Sequence, residues 1–565
     1  MDKDAHTIVG IRIGETASAC VFEDNRITYF QKEESLTQNK QEEYPIAAFL
    51  EILNLVKKID YIVFIDSLYP VEKNNAQFSV DLFFILAKKA NKIKDDGVPR
   101  LIDMSMQQHK CEAAYAFYKS NWNNAFVINF SSQGGYWPIS IHDEPTLIRE
   151  TETVFKCNKL LNLNTVHKNM QNTLEQETLF WEGFDAEFWE KDGKFDFLVS
   201  SNPSMSDLYT AIANYSNWEE IDISKSVALS LKGSDNNKVP NFFIDNVLFP
   251  VIDKNIILRS NHGAELNRSS NAYLTDDNSH EATALSNRQD VAFKAIEESN
   301  IAIINSINYF IKKFNIQNAI LVGDILQENL KLTTEITERH KNVDFFVLDD
   351  PYSMSSILGA TLLWADNLEI LLPDIKIYPK KTRYAESQIQ KYLSDRNFNY
   401  KSSSAADVAG ILQQNCVSVY SERYQVSKIL FDPSVKNNHR FLNTVKERDS
   451  FEPFAAITTN RNYKTQKSGQ TTILNEGNND TNNAGIISQD NKIKIDMLYE
   501  ENNLTKIVDE FILKTNQEFI GQTCLRKSHM PEPCNLQQAI SNSKTLELEY
   551  LYLLDYELLI SLDQA

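Results

Sequence analysis

The sequence predicts an α/β protein of several domains. Up to Ile65 it reads as three strands, a helix and a further strand, an order that suits an α/β layer. From Ala292 to Ala365 helical and strand patterns alternate again, as in a second α/β lobe. The length of 565 residues corresponds to two to four domains at ~100–200 residues each.

The opening strands are Thr7–Ile13, Ser18–Glu23 and Arg26–Gln31, with Asp24-Asn25 as a hairpin turn between the last two. A helix over Ile46–Lys58 follows, marked by apolar Ala48, Leu50, Ile52, Leu53 and Val56, and then a strand over Tyr61–Ile65. Met106–Tyr118 is a second helix, leading to a strand over Ala125–Asn129. The stretch Leu160–Ser260 is mixed, and Asn261–Asn287, rich in Asn, Ser, Asp and Thr, reads as an exposed loop. Helices are expected over Ala292–Phe314, Leu326–Glu338 and Ser355–Ala365, and buried strands over Ala319–Val322 and Phe345–Leu348. Residues 373–382, which include Pro373 and the run Pro379-Lys380-Lys381, read as a linker between an N-terminal part (1–372) and a C-terminal part (383–565). The C-terminal part carries helices near Ala385–Ser394, Ser404–Asn415 and Asn503–Thr515. It also has a polar loop over Asn460–Asp490 and a Leu- and Tyr-rich tail, Leu536–Leu562, expected in the core. No regular internal repeat is visible in the sequence.

A formal net charge of -20 opposes non-specific binding to nucleic acid or to an anionic membrane, while leaving room for a local basic pocket. Aromatic residues are not interleaved with basic ones, as a nucleic-acid platform would require. The six cysteines, Cys20, Cys111, Cys157, Cys416, Cys524 and Cys534, form no CxxC pair, which points to reduced thiols. No apolar run approaches the ~20 residues that span a bilayer, and the N-terminus lacks a signal core. A soluble cytoplasmic protein is expected. No Cys-His zinc spacing, Walker loop or GxSxG elbow occurs, and Gly134-Gly135 reads as a turn.

Six segments together carry a family resemblance. They are IVGIRIGETASACVFEDNRITYFQKEE (Ile8–Glu34), QHKCEAAYAFY (Gln108–Tyr118), AILVGDILQEN (Ala319–Asn329), SMSSILGATLL (Ser353–Leu363), ERYQVSKILFDPS (Glu422–Ser434) and FLNTVKERDSFEPFAA (Phe441–Ala456). In this order they resemble the motifs of the nodulation- and antibiotic-type O-carbamoyltransferases, the last being the most specific. The resemblance implies two actin-like (ASKHA-type) lobes related to tRNA-threonylcarbamoyl transferases, followed by a YrdC-like α/β domain. It further implies carbamoyl-adenylate formation from ATP and carbamoyl phosphate in the C-terminal domain, and metal- and nucleotide-dependent carbamoyl transfer in the lobes.

The chemistry-bearing positions depart from that pattern. The family's helix places two histidines four apart on one face, as chelation requires; here they match Gln108 and Glu112. Its two aspartate ligands match Asn129 and Ser353. Amide and hydroxyl oxygens are poor ligands for a transition metal. A rescue would pair His109 with Glu112; the plainer reading is a solvated Glu112 and a His109 bonded to backbone. In the phosphate loop Gly323 is kept, but the next glycine is Asp324, whose carboxylate opposes phosphate if it points inward and is harmless if it points outward. The family's N-terminal His-Asp becomes Glu15-Thr16. In the C-terminal domain Arg423, Asn443, Lys446 and Arg448 match, and Lys494 stands at an arginine position, so these cations could clamp carbamoyl phosphate or another anion. Lys446 and Arg448 could equally pair with Glu447 or Asp449 on the surface. The family's GPRALGN segment is absent between Gln425 and Ser427, and its RPFAP arginine is Glu452.

These substitutions imply a degenerate member: a non-catalytic partner or regulatory subunit of an intact carbamoyltransferase paralogue, or of a second copy of itself, with no cofactor. The alternative is an active carbamoyltransferase using ATP and a divalent metal on a small-molecule acceptor. A third reading is a carbamoyl phosphate sensor.

Overall fold

The computed structural model describes residues 6–14, 16–39, 42–67, 73–94, 100–131, 134–141, 144–158, 162–172, 179–185, 194–200, 202–216, 223–244, 251–260, 263–270, 274, 281–348, 352–368, 385–421, 426–432, 434–435, 455–458, 471–475, 492–497, 503–515, 517, 520–525, 533 and 535–562. Its contacts define two compact units: Met1–Gly14 with Phe22–Asn25 and Leu53–Ile375, and Glu15–Val21 with Arg26–Ile52 and Lys376–Ala565. No described helix is long and apolar enough to cross a membrane. Cys20, Cys111, Cys157 and Cys416 are buried free thiols.

The chain opens with β1 (Ile8–Ile13), β2 (Ser18–Glu23) and β3 (Arg26–Lys32). Asp24 and Asn25 sit at φ 52° and 59°, the left-handed pair that a two-residue hairpin demands and that Asp and Asn tolerate best after glycine. Next come α1 (Glu33–Thr37), α2 (Ile46–Leu55), β4 (Tyr61–Asp66), α3 (Lys73–Lys89) and β5 (Leu101–Asp103). The Glu33 carboxylate accepts hydrogen bonds from the Ala47 and Ala48 amides at 2.7 and 2.9 Å, placing an acid at the positive end of α2. The sheet runs β3-β2-β1-β4-β5, with β1, β4 and β5 parallel. Every residue of β1 is buried, as expected of a central strand covered on both faces.

The second sheet begins after α4 (Gln108–Ser120) with β6 (Asn124–Phe130), β7 (Tyr136–Ile141), β8 (Glu144–Asn158), β9 (Leu163–Asn172), β10 (Leu179–Asp185) and β11 (Lys194–Ser200). Then follow α5 (Met205–Tyr215), α6 (Ile223–Ser230), the hairpin β12 (Ile257–Ser260) and β13 (Gly263–Leu266), and the long α7 (Glu281–Phe314). The unit continues with β14 (Asn318–Val322), α8 (Asp324–Glu328), α9 (Leu330–Arg339), β15 (Asp344–Val347) and α10 (Tyr352–Asn367). The strand order is β10-β11-β9-β8-β6-β14-β15, with β7 beside β8. Its β9-β8-β6-β14-β15 part repeats the wiring of the first sheet, a meander followed by parallel strands reached through helices. The fold is α/β, and its first two sheets have the duplicated arrangement of actin-like lobes. The repeat is one of wiring, which the sequence does not display.

Two expectations need correction. Asn261–Asn287 is not one exposed loop: β13 buries Ala264 and Leu266, and α7 starts at Glu281. Polar composition alone does not separate a loop from the polar start of a helix. Leu326–Glu338 is not one helix either. Asn329, at φ -111° and ψ 83°, breaks it, and its side chain caps α9 by accepting from the Leu332 amide at 3.1 Å. The small residues of α10 do serve close packing: a Cβ on Gly359 would stand 1.7 Å from the Cys111 carbonyl oxygen of α4.

The other unit carries α11 (Glu386–Asp395), β16 (Asn399–Ser402), α12 (Ala405–Leu412), β17 (Val417–Ser421), β18 (Val426–Phe431), β19 (Ala455–Thr458), β20 (Thr471–Asn475) and β21 (Lys492–Met497). It ends with α13 (Asn503–Thr515), β22 (Ile520–Cys524), α14 (Leu536–Thr545), β23 (Tyr550–Leu553) and β24 (Leu558–Ser561). The nine-stranded mixed sheet runs β16-β24-β23-β17-β18-β22-β19-β21-β20. One apolar core, with Leu393, Ile429, Ile540 and Leu551, covers one side, and a second joins Val408, Leu412, Val508 and Phe511 of α12 and α13. The Leu- and Tyr-rich tail is thus core. The Asn460–Asp490 segment contains β20; the rest of it lies outside the described residues.

Candidate functional site

The turn Ser105–Gln107 delivers the chain into α4, and the four-residue spacing puts Gln108 and Glu112 on one face. Gln108, His109 and Glu112 are all 0 % exposed, so Glu112 is not the solvated side chain expected. Its partner comes from the sheet: Asn129, near the end of β6, donates from Nδ2 to Glu112 Oε2 at 2.9 Å. Parallel pairing sets Asn129 opposite Val322 of β14, which brings Gly323 alongside. Gly323 has φ +105°, and a Cβ there would lie 1.9 Å from the Phe130 carbonyl oxygen and 2.8 Å from Asn129 Oδ1. Only glycine allows that approach.

Burial pushes the Glu112 carboxyl well above the ordinary carboxylate range; the Asn129 hydrogen bond and the Arg12 charge act against this, and Asp324 and Glu150 add to it. Arg12 is fully buried in β1, and its Nη1 donates to Ser356 Oγ at 3.0 Å. Asp324 accepts from the Ile325 amide at 2.9 Å, and its charge raises Glu112 and Tyr209 beyond the larger effect of burial. Gln108 Oε1 and Nε2, Glu112 Oε1 and Asn129 Oδ1 have no hydrogen-bond partner among the described residues.

His109 is turned to the sheet. Its Nδ1 lies 2.9 Å from Thr153 Oγ1, a side-chain partner, and its amide donates to Glu150 Oε2 at 3.3 Å. Glu150 also accepts from the Gly135 amide at 3.0 Å and from Lys168 Nζ at 2.9 Å, in an ion pair only 0–1 % exposed. Lys168 Nζ stands 4.0 Å from the centre of the Trp137 ring. Gly134 and Gly135 admit this closeness: a Cβ on Gly134 would meet the Glu150 carbonyl oxygen at 2.2 Å. Sequence reading missed the Glu150–Lys168 pair, since nothing in two charged residues on separate strands announces that both are buried.

Ser353 lies in the first turn of α10 and Lys494 in β21, opposite Ile473, with their side chains outside the described residues. Arg423, Asn443, Lys446 and Arg448 lie outside the described residues altogether, as does Glu15. The structure therefore brings together Gln108, Glu112, Asn129, Gly323 and Asp324. This donor set does not fit a transition metal, because amides are weak ligands and the carboxyl favours its proton. Among the described residues, no group of three or more His, Cys, Asp or Glu could hold a metal ion.

No protein-family model and no curated protein matches the chain. Solved structures similar to it include the ADPNP-bound activator of the 2-hydroxyisocaproyl-CoA dehydratase from Clostridium difficile, at 12% identity and a TM-score of 0.33, covering 64% of this chain and 96% of that one. Full-length HypF in its phosphate- and nucleotide-bound form is similar at 13% identity and a TM-score of 0.37, covering 64% of this chain and 55% of that one. T. kodakarensis HypF is similar at 12% identity and a TM-score of 0.36, covering 65% and 48%. The chain spans about half the length of the two HypF structures.

Proposed function

We propose that this chain is a carbamoyltransferase-type protein that does not itself carry out metal-dependent transfer and acts as a partner or regulatory subunit of an intact carbamoyltransferase. One observation carries the reading: at the position where the resembled family chelates a metal, Glu112 and Asn129 bond to each other in a fully buried pair. An interface needs only shape and apolar area and survives the loss of such a site. A second reading, an active transferase moving a carbamoyl group from carbamoyl phosphate by way of ATP to a small acceptor, is favoured by Gly323. That residue keeps the resembled family's glycine, at φ +105°, just ahead of α8.

The test is purification of the full chain from its native host, with metal analysis and a carbamoylation assay run with and without any co-purifying carbamoyltransferase. The expected result is less than stoichiometric metal, no turnover by this chain alone, and a retained intact partner. Turnover by the chain alone, or stoichiometric metal lost on changing Glu112, overturns the reading in favour of the active enzyme.

A further inference from the structure

Glu150 and Glu152 stand two apart on β8, and regular pairing would turn both to one face of the sheet. The register with β9 slips between them: Glu150 pairs with Met170, and Glu152 with Asn169. The extra residue, Thr151, forms a bulge that sends the two acids to opposite faces. Glu150 joins Lys168 beneath α4. Glu152 joins Asn169 and, through the β9–β11 register, Leu198.

On that second face lies a small pocket of about 80 Å³, bounded by Ser131, Glu152, Asn169, Ser200, Met205 and Ile252 among others. Glu152 is 4 % exposed; its Oε2 accepts from Asn169 Nδ2 at 2.7 Å, and its Oε1 has no hydrogen-bond partner among the described residues. Burial pushes its carboxyl up to about 8. Asn169, 7 % exposed, is committed to Glu152 and lies beside His167. None of the described residues lining the pocket is Lys, Arg or His, so an anion entering it would find no compensating charge. The N-terminus of α5, the other feature that could attract an anion, is already occupied: Asp207 accepts from the Ser204 amide at 2.8 Å and from the Gln171 side chain. The rest of the described lining combines apolar Phe130, Met170, Leu198 and Val251 with hydroxyl and amide groups such as Ser131, Thr151, Ser200 and Asn202, and Glu152 is its only acid.

We propose that this pocket is a binding site for a small organic amine, which places its ammonium on Glu152 and its carbon chain against Leu198, Met205 and Ile252. The site does not depend on the fate of the Glu112–Asn129 position and stands whether or not the chain is catalytic.

The experiment is ligand-observed NMR titration of the full chain with n-alkylamines, the matching n-alkanols and the matching n-alkylcarboxylates, at concentrations up to roughly 10 mM. Each series is repeated on Glu152→Gln, and thermal melting is compared to show that the variant is folded. The expected result is saturable amine binding that weakens roughly tenfold to a hundredfold in Glu152→Gln. Alkanols should bind more weakly and carboxylates not at all. Equal binding of amine by wild type and variant, carboxylate binding as tight as amine binding, or no amine binding at all overturns the proposal. Should Glu152→Gln fail to fold, Leu198→Trp, which fills the pocket from its apolar wall, replaces it, and retained amine binding then sinks the idea.

Discussion

Lys168→Met tests the buried ion pair that ties α4 to the second sheet. At 2.9 Å, and with an effective dielectric constant of about 20, the attraction between Lys168 and Glu150 is about 6 kcal/mol. Desolvating both charges opposes most of that, so the pair as a whole contributes little, but breaking it strands a carboxylate. Removing one partner of such a pair costs about 3–5 kcal/mol. Glu150 Oε2 would still hold the Gly135 and His109 amides, which places the cost near the lower end, at about 3 kcal/mol. Adding Glu150→Gln removes the stranded charge, and the double variant should recover at least ~1 kcal/mol. Because the chain has two compact units, a single unfolding free energy is not the right readout. Amide hydrogen exchange followed by mass spectrometry on peptides from β8, β9 and α4 reads the local opening instead. The single variant should lose protection there by about a hundredfold, and the double variant by clearly less. A loss below about fivefold, or a double variant no better than the single one, would show that the pair is not isolated from water as its burial requires.

Gly323→Ala combines a left-handed backbone with a Cβ 1.9 Å from the Phe130 carbonyl oxygen and should destabilise the lobe by roughly 2–5 kcal/mol, seen as a lower melting temperature. Glu112→Gln should change stability by less than about 1 kcal/mol, because burial already disfavours the charged carboxyl and a glutamine can still accept from Asn129. Glu112→Leu, which strands the Asn129 amide, should cost about 1–3 kcal/mol in the same melting assay. Two groups give opposite pH dependences. His167 is lowered to about 4 by burial, so the unfolded chain binds its proton first, and stability falls by about 3 kcal/mol as pH drops from 6.5 to 4. Glu152 is raised to about 8, so its contribution is complete below 4.5 and is lost as pH rises to 8, by roughly 5 kcal/mol. Melting against pH should therefore show the acid-side loss reduced in His167→Leu and the alkaline-side loss reduced in Glu152→Gln; curves parallel to wild type would refute either assignment.

What could be read from the sequence was whatever is decided locally. The Asp24-Asn25 hairpin follows from two residues that accept positive φ, and α13 keeps the expected ends because Asn503–Thr515 carries a clean apolar stripe. The shared face of Gln108 and Glu112 follows from helical spacing alone. What the sequence could not supply was long-range register. Asn129 meets Glu112 because β6 lies beneath α4, and Gly323 meets Asn129 because β14 runs parallel to β6. The mixed stretch Leu160–Ser260 was opaque for a related reason. Its strands bury His167, Lys168 and Asp196, so their polar residues mask the alternation that marks a strand. Reading Glu112 as solvated failed in the same way: a lone acid on a helix is ordinarily at the surface, and only the sheet packed over α4 makes it otherwise.

Three buried acids of this lobe, Glu112, Glu150 and Glu152, differ in how many donors the described residues give them, and that difference separates structure from function. Glu150 receives three, from Lys168, Gly135 and His109, and has nothing to offer a ligand. Glu112 and Glu152 each receive one, from Asn129 and Asn169. A buried acceptor left short costs about 1–3 kcal/mol, so an unfilled oxygen asks what offsets it. At Glu112 the cost falls on a closed pair, where a raised carboxyl can shed its charge and the loss is contained. Glu152 sheds its charge in the same way, but its unfilled oxygen belongs to a residue that lines a pocket whose described walls hold no Lys, Arg or His. A one-residue slip between β8 and β9 thus takes two acids from one strand, buries the first as a strut and presents the second to whatever donor the pocket admits.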